Sequence, residues 1–160
     1  MTFRTLRRPL LAITTLLLAA TTALAFNPAD VARIRGGDRN LRGADLRGAD
    51  LRGIYLASTS FMNANLSGAN LSGVSFDGSD FSGANFTRAN LSGASLGGVN
   101  FTRTNFTRAN LTGVNLPHAY FTGANLTGAN FTGANLTGAS FTGATCRATR
   151  WPAGFRPNCR

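Results

Sequence analysis

Leu or Phe occupies every fifth position from Leu41 to Phe141, and the phase never slips. A period of five fits neither a lone helix at 3.6 residues per turn nor a flat strand at 2. A strict short repeat points instead to a solenoid, in which one rung cannot bury its apolar face until neighbours stack on it. The residues around each Leu or Phe repeat as well, as in Ala124-Asn125-Leu126-Thr127-Gly128 or Ala44-Asp45-Leu46-Arg47-Gly48.

This pattern of small residue, Asn or Asp, Leu or Phe, Ser/Thr/Arg and then often Gly resembles the pentapeptide-repeat family, over residues 39 to about 146. The resemblance implies an all-β fold, a right-handed quadrilateral β-helix with four pentapeptides per coil. The central Leu or Phe and the small residue two before it would both point inward. The sequence offers an independent check on the four sides. Phe61, Phe81, Phe101, Phe121 and Phe141 are spaced by twenty, whereas Leu71, Leu91 and Leu111, halfway between, are not aromatic. A superperiod of twenty is what four faces of five residues give. The five Phe are expected to form a structural core column of stacked rings, with coils about 4.8 Å apart. About five coils make a rod roughly 24 Å long. The second inward position is mostly Ala on two faces, larger on a third (Ile54, Val74, Val114) and small beside the Phe column, which keeps the cross-section filled. The glycines after each pentad are expected at the corners.

Four segments are expected. Residues 1–25 read as a cleaved secretory signal, with Arg4, Arg7 and Arg8 ahead of an apolar run and Ala23-Leu24-Ala25 as the cleavage site. The general secretory route fits better than twin-arginine export, because the residues flanking Arg7-Arg8 match the latter poorly. The apolar run is short for a membrane span, and none follows after cleavage. Residues 26–38 read as a capping helix with Asn27 as N-cap, Pro28 at the first helical position and Gly36-Gly37 at its end. Residues 39–146 form the β-helix, and 147–160 a C-terminal capping tail. Caps at both ends favour a monomer, since bare solenoid ends pair head to tail.

Cys146 falls on the inward phase of the repeat, and Trp151 is in phase too. A Cys146–Cys159 disulfide would fold the tail over the last coil, with Trp151 or Phe155 as a plug, in keeping with an exported chain. The alternative is two free thiols. Signal, Asn-Pro helix, repeats and Cys-bearing tail together resemble an exported bacterial subset of the family. In that subset a second Cys pair often precedes the first repeat, but Gly36 to Asn40 contains none.

All sixteen basic residues are Arg, against six Asp, with no Lys or Glu. Some cytoplasmic relatives mimic duplex DNA through an acidic surface and bind DNA gyrase; this basic chain with an export signal does not fit that role. No aromatic–basic interleaving points to direct nucleic-acid binding. Two Cys and one distant His, His118, make no metal-ligand set. No catalytic, metal or cofactor-binding residue is expected, and no cofactor. Candidate contact residues are Arg88 and Arg108, one coil apart, and Tyr55 and Tyr120 on outward phases.

The expected function is a non-enzymatic, exported protein, periplasmic or extracellular, that offers a rigid interaction or structural surface to an unidentified protein or envelope partner. The alternative is a surface binder for ice, glycan or anionic envelope components. It would use Arg residues and Thr columns such as Thr102, Thr122, Thr142 and Thr87, Thr107, Thr127. Against it, the Thr belong to turn chemistry, their hydroxyls bonding nearby backbone. A hydrolase using the Asp77 and Asp80 pair is the remaining rival, although a filled shaft leaves no pocket of the usual size.

Overall fold

The computed structural model describes residues 26–159; the expected signal sequence, residues 1–25, lies outside the described residues. From Asn40 to Arg150 the chain winds into a four-sided spiral in which every parallel bridge joins residues twenty apart, from Asn40↔Ser60 to Asn130↔Arg150. The bridged residue is the one just before each central Leu or Phe. Its N–H and C=O both reach the coil below: Asn85 N–H donates to the Ala64 carbonyl at 2.9 Å, and the Asn85 carbonyl accepts from Leu66 N–H at 2.8 Å, while the flanking Ala84 carbonyl and Phe86 N–H pair with Asn105 in the coil above.

The corners are β-turns. Each runs from a central residue to the next inward small residue, as where Ala44 N–H donates to the Leu41 carbonyl at 3.1 Å. The third residue of the turn sits at positive φ, +66° at Gly43, which makes the turn type II. That is why glycine recurs five residues apart. The carboxamide of the bridged residue braces the turn that follows: Asn105 Oδ1 accepts from Thr107 N–H at 3.0 Å and from its hydroxyl at 2.7 Å.

Every central residue from Leu41 to Phe141 is buried. Phe61, Phe81, Phe101, Phe121 and Phe141 stack along one wall, with successive centroids 4.6, 5.6, 5.1 and 4.9 Å apart. On the next wall Phe86 and Phe106 stack at 5.0 Å and meet the first column edge-on. Edge and face contacts of this kind add to the burial term of roughly 2 kcal/mol per side chain. Two inward polar residues are satisfied by the coil below, and a third, Thr59, by the Ala57 carbonyl of its own turn at 3.3 Å. Thr104 Oγ1 donates to the Phe81 carbonyl at 2.8 Å, and Ser79 Oγ to the Leu56 carbonyl at 3.0 Å.

Helix α1, Pro28–Arg35, closes the N-terminal end. Asn27 Oδ1 caps it by accepting from Ala29 N–H at 3.0 Å, and Val31 and Ile34 face the core. The cap also takes up first-coil backbone groups that have no coil beneath them. Asn27 N–H donates to the Asp45 carbonyl at 2.9 Å, and the Asp30 carboxylate accepts from Asp45 N–H at 3.0 Å. The cap thus covers the ladder edge of the first coil at Asp45.

The C-terminal end is closed by aromatic rings and a crosslink. Trp151 lies flat on Phe131, and Phe155 meets Phe141 and Trp151. Cys146 and Cys159 are joined, their Cα atoms 6.1 Å apart, within the usual disulfide range. The bridged spiral runs on to Arg150, past Cys146, before the tail turns at Pro152.

Candidate interaction surface

Charge is distributed unevenly around the rod. At the N-terminal end the acids are paired: Arg47 with Asp45 at 2.8 Å, Arg52 with Asp50 at 2.7 Å, and Arg33 with both Asp30 and Asp38. The Arg47 guanidinium holds the Asp45 carboxyl below its ordinary range, and Arg52 does the same for Asp50. For Asp38 the Asn40 backbone N–H is the larger cause and Arg33 the second. Beyond these pairs, among the described residues, no carboxylate lies within ion-pairing distance of Arg88, Arg103, Arg108, Arg147 or Arg150.

Four of those arginines gather at one corner and the face that follows it. Arg88 and Arg108 stand at the same corner in successive coils, and Ala148 holds that corner two coils further on, flanked by Arg147 and Arg150. Arg103 occupies the adjacent corner. Arg88, Arg103 and Arg108 are each the third residue of a corner turn, at φ +59°, +57° and +58°. Elsewhere that position is mostly glycine, because a side chain in the left-handed region costs on the order of 1 kcal/mol. Arg88 and Arg108, in coils about 4.8 Å apart along the axis, are like charges at one corner and repel, an effect that salt screens.

The corner side chains lean toward the following coil. A β-carbon placed on Gly128 would lie 3.4 Å from Arg108 Cγ, and one on Gly123 would lie 3.7 Å from Arg103 Cγ. Arg108 therefore rests over Gly128, facing Arg150 across an open groove of about 470 Å³ that also includes Asn110, Asn130 and Thr112. Arg103 was not singled out by sequence reasoning. The available signal was its place in the repeat, where its neighbours carry glycine.

Other candidates fall apart in space or are occupied. Tyr55 and Tyr120 are exposed, 70% and 53%, but lie on different faces and about 15 Å apart along the axis. Asp77 serves as a brace: its carboxylate accepts from Gly97 N–H at 2.6 Å and from the Ser95 hydroxyl at 3.0 Å. Asp80 accepts from Ser82 N–H at 2.8 Å within its own turn. Thr87, Thr107 and Thr127 each donate their hydroxyl to the Asn two residues earlier, at 2.7 Å. The expectation that these hydroxyls bond backbone is corrected: the partner is the Asn side chain, and it is the Thr backbone N–H that completes the turn. His118 sits at a corner with φ +57° and leans over Gly138.

The sequence profile described as Pentapeptide repeats matches the chain in 8 copies, over residues 40–78, 64–103 and 104–143. Among solved structures, the chain is similar to the pentapeptide repeat protein Rfr23 of the cyanobacterium Cyanothece 51142, at 27% identity and TM-score 0.67, covering 77% of this chain and 97% of that one. A pentapeptide repeat protein of Nostoc PCC 7120 is 31% identical over 80% of this chain and 86% of its own, with TM-score 0.38. One from the Arabidopsis thaliana thylakoid lumen is 34% identical over 66% of this chain and 67% of its own, with TM-score 0.37. No curated protein matches the sequence. The match across most of the spiral assigns the right-handed hand that such repeats share, and the chain belongs to the pentapeptide repeat family.

Proposed function

We propose that this protein is a non-enzymatic, exported, monomeric rod that presents a rigid interaction surface in the cell envelope, periplasmic or extracellular. The observation that carries the reading is the filled and sealed shaft. Leu, Phe and small residues occupy the interior, and the chemically distinct side chains face outward on a fixed lattice. A surface of that kind suits recognition by many shallow contacts in register. Export is supported by the signal-like residues 1–25 and by the Cys146–Cys159 bond, which belongs in an oxidising compartment. An anionic envelope component is favoured over ice as what this surface meets, because the arginines are unpaired while the hydroxyls of one of the two Thr columns, Thr87, Thr107 and Thr127, are committed to Asn.

The test is fractionation of the producing cell, followed by crosslinking from a photoreactive residue at position 108 and, separately, at position 55. The reading expects processed protein outside the cytoplasm and one reproducible adduct. Unprocessed cytoplasmic protein would contradict it.

A further inference from the structure

We infer that the edge formed by Arg88, Arg108 and Arg150 is a binding site for a linear acidic polysaccharide, a polyuronate chain lying along the rod axis. The inference rests on the proposed exported interaction role and adds its ligand.

Three observations converge on this edge. The first is position: unpaired arginines stand at one corner, at Arg88 and Arg108, and two coils further at Arg147 beside that corner and Arg150 on the adjoining face. One coil is about 4.8 Å, close to the length of one sugar ring along an extended chain. The second is strain. Arg88 and Arg108 hold left-handed backbone at φ +59° and +58°, where the same corner carries Gly68 and Gly128 in the flanking coils. Glycine would relieve both the backbone strain and the mutual repulsion, and strained, self-repelling residues are kept where a site needs them. The third is shape. The groove between Arg108 and Arg150 has a low floor at Gly128 and Ala148.

The chemistry favours a sugar acid. Guanidinium groups pair with carboxylates in a bidentate fork, and Asn110 and Asn130 beside them supply amide groups that suit sugar hydroxyls. A membrane surface fits less well. Tyr55 and Tyr120, the large exposed apolar side chains, belong to columns away from this edge, which has nothing to insert among acyl chains.

The test is titration of the folded protein with polygalacturonate at low and high salt. Neutral dextran, phosphatidylglycerol vesicles and duplex DNA provide the other arms. The variant is R88G/R108G/R150N, each change installing the residue found at the equivalent place in a neighbouring coil (Gly68, Gly128, Asn130). Wild type is expected to bind polygalacturonate in a salt-sensitive manner and to ignore dextran. The triple variant is expected to bind about tenfold more weakly, the sum of three exposed ion contacts, with its melting temperature unchanged or raised. Equal affinity in the variant, or tighter binding of vesicles or DNA at equal charge, would overturn the inference. If the variant misfolds, arginine side-chain NMR on wild type decides. Signals of Arg88, Arg108 and Arg150 moving on titration support the site; movement confined to other arginines overturns it. Exported protein that ignores polygalacturonate would remove this inference alone, whereas protein retained in the cytoplasm would remove the proposed role whatever the polymer result.

Discussion

The indole of Trp151 lies parallel to the ring of Phe131, with centroids 5.0 Å apart and planes within 9°. The inward column thus continues past the last Phe of the repeat, and Trp151 also meets Phe141 edge-on at 5.1 Å. The tail is therefore a built end of the core. Trp151→Ala should cost about 2–3 kcal/mol, below the full aromatic deletion because the indole is half-buried. Urea unfolding followed by circular dichroism reads the change in midpoint.

The Cys146–Cys159 bond closes a short loop, 13 residues in sequence separation, over that same end. Reduction should lower stability by about 3 kcal/mol and loosen Trp151. As the single Trp in the chain, it reports this directly through its fluorescence. An unfolding midpoint indifferent to reductant would refute the cap.

Corner positions should answer substitution with opposite signs. Gly138 has φ +69°, and a β-carbon there would come within 2.5 Å of His118 Nδ1. Gly138→Ala should destabilise by about 1–3 kcal/mol, from the backbone and from displacing the imidazole. Arg103→Gly removes a left-handed side chain and should be neutral or stabilising by up to about 1 kcal/mol, the gain in the fold being partly offset by the freer unfolded chain. Thermal melts of the two variants beside wild type check the contrast.

Acid should weaken the N-terminal end first. The carboxyls of Asp38, Asp45 and Asp50 titrate below their ordinary range in the fold. A group depressed in the native state stabilises it above the unfolded-state pKa, about 4, and that contribution is lost as pH falls further. Asp50 is exposed and Asp38 and Asp45 are partly so, and the effect is small and screened by salt. Amide NMR signals from residues 38–52 should shift below about pH 4 while those of Phe101 to Phe131 hold. Uniform loss along the rod would argue against the assignment.

The four-sided shaft was legible because the pattern of Phe61, Phe81 and Phe101 carries the superperiod in the residue types themselves. Helix α1 was legible from Asn27-Pro28 and Gly36-Gly37 for a similar reason: each residue has one strong backbone preference at that place. The surface was harder to read. Arg88 and Arg103 look like ordinary solvated side chains until the turn geometry puts them where glycine belongs. The partner of the Thr107 hydroxyl depends on the rotamer of Asn105, which no pattern of types specifies. The lean of Arg108 toward Arg150 depends on the bare backbone of Gly128 one coil away, a relation visible only after the spiral is closed.

The central claim is that one turn of the spiral closes after four pentads. Scalar couplings across backbone hydrogen bonds, measured on isotope-labelled protein, read that closure without reference to coordinates. They should link the Phe81 amide nitrogen to the Asn100 carbonyl carbon and the Asn85 amide nitrogen to the Ala64 carbonyl carbon. Couplings that instead join residues offset by one pentad more or fewer would contradict the four-sided coil.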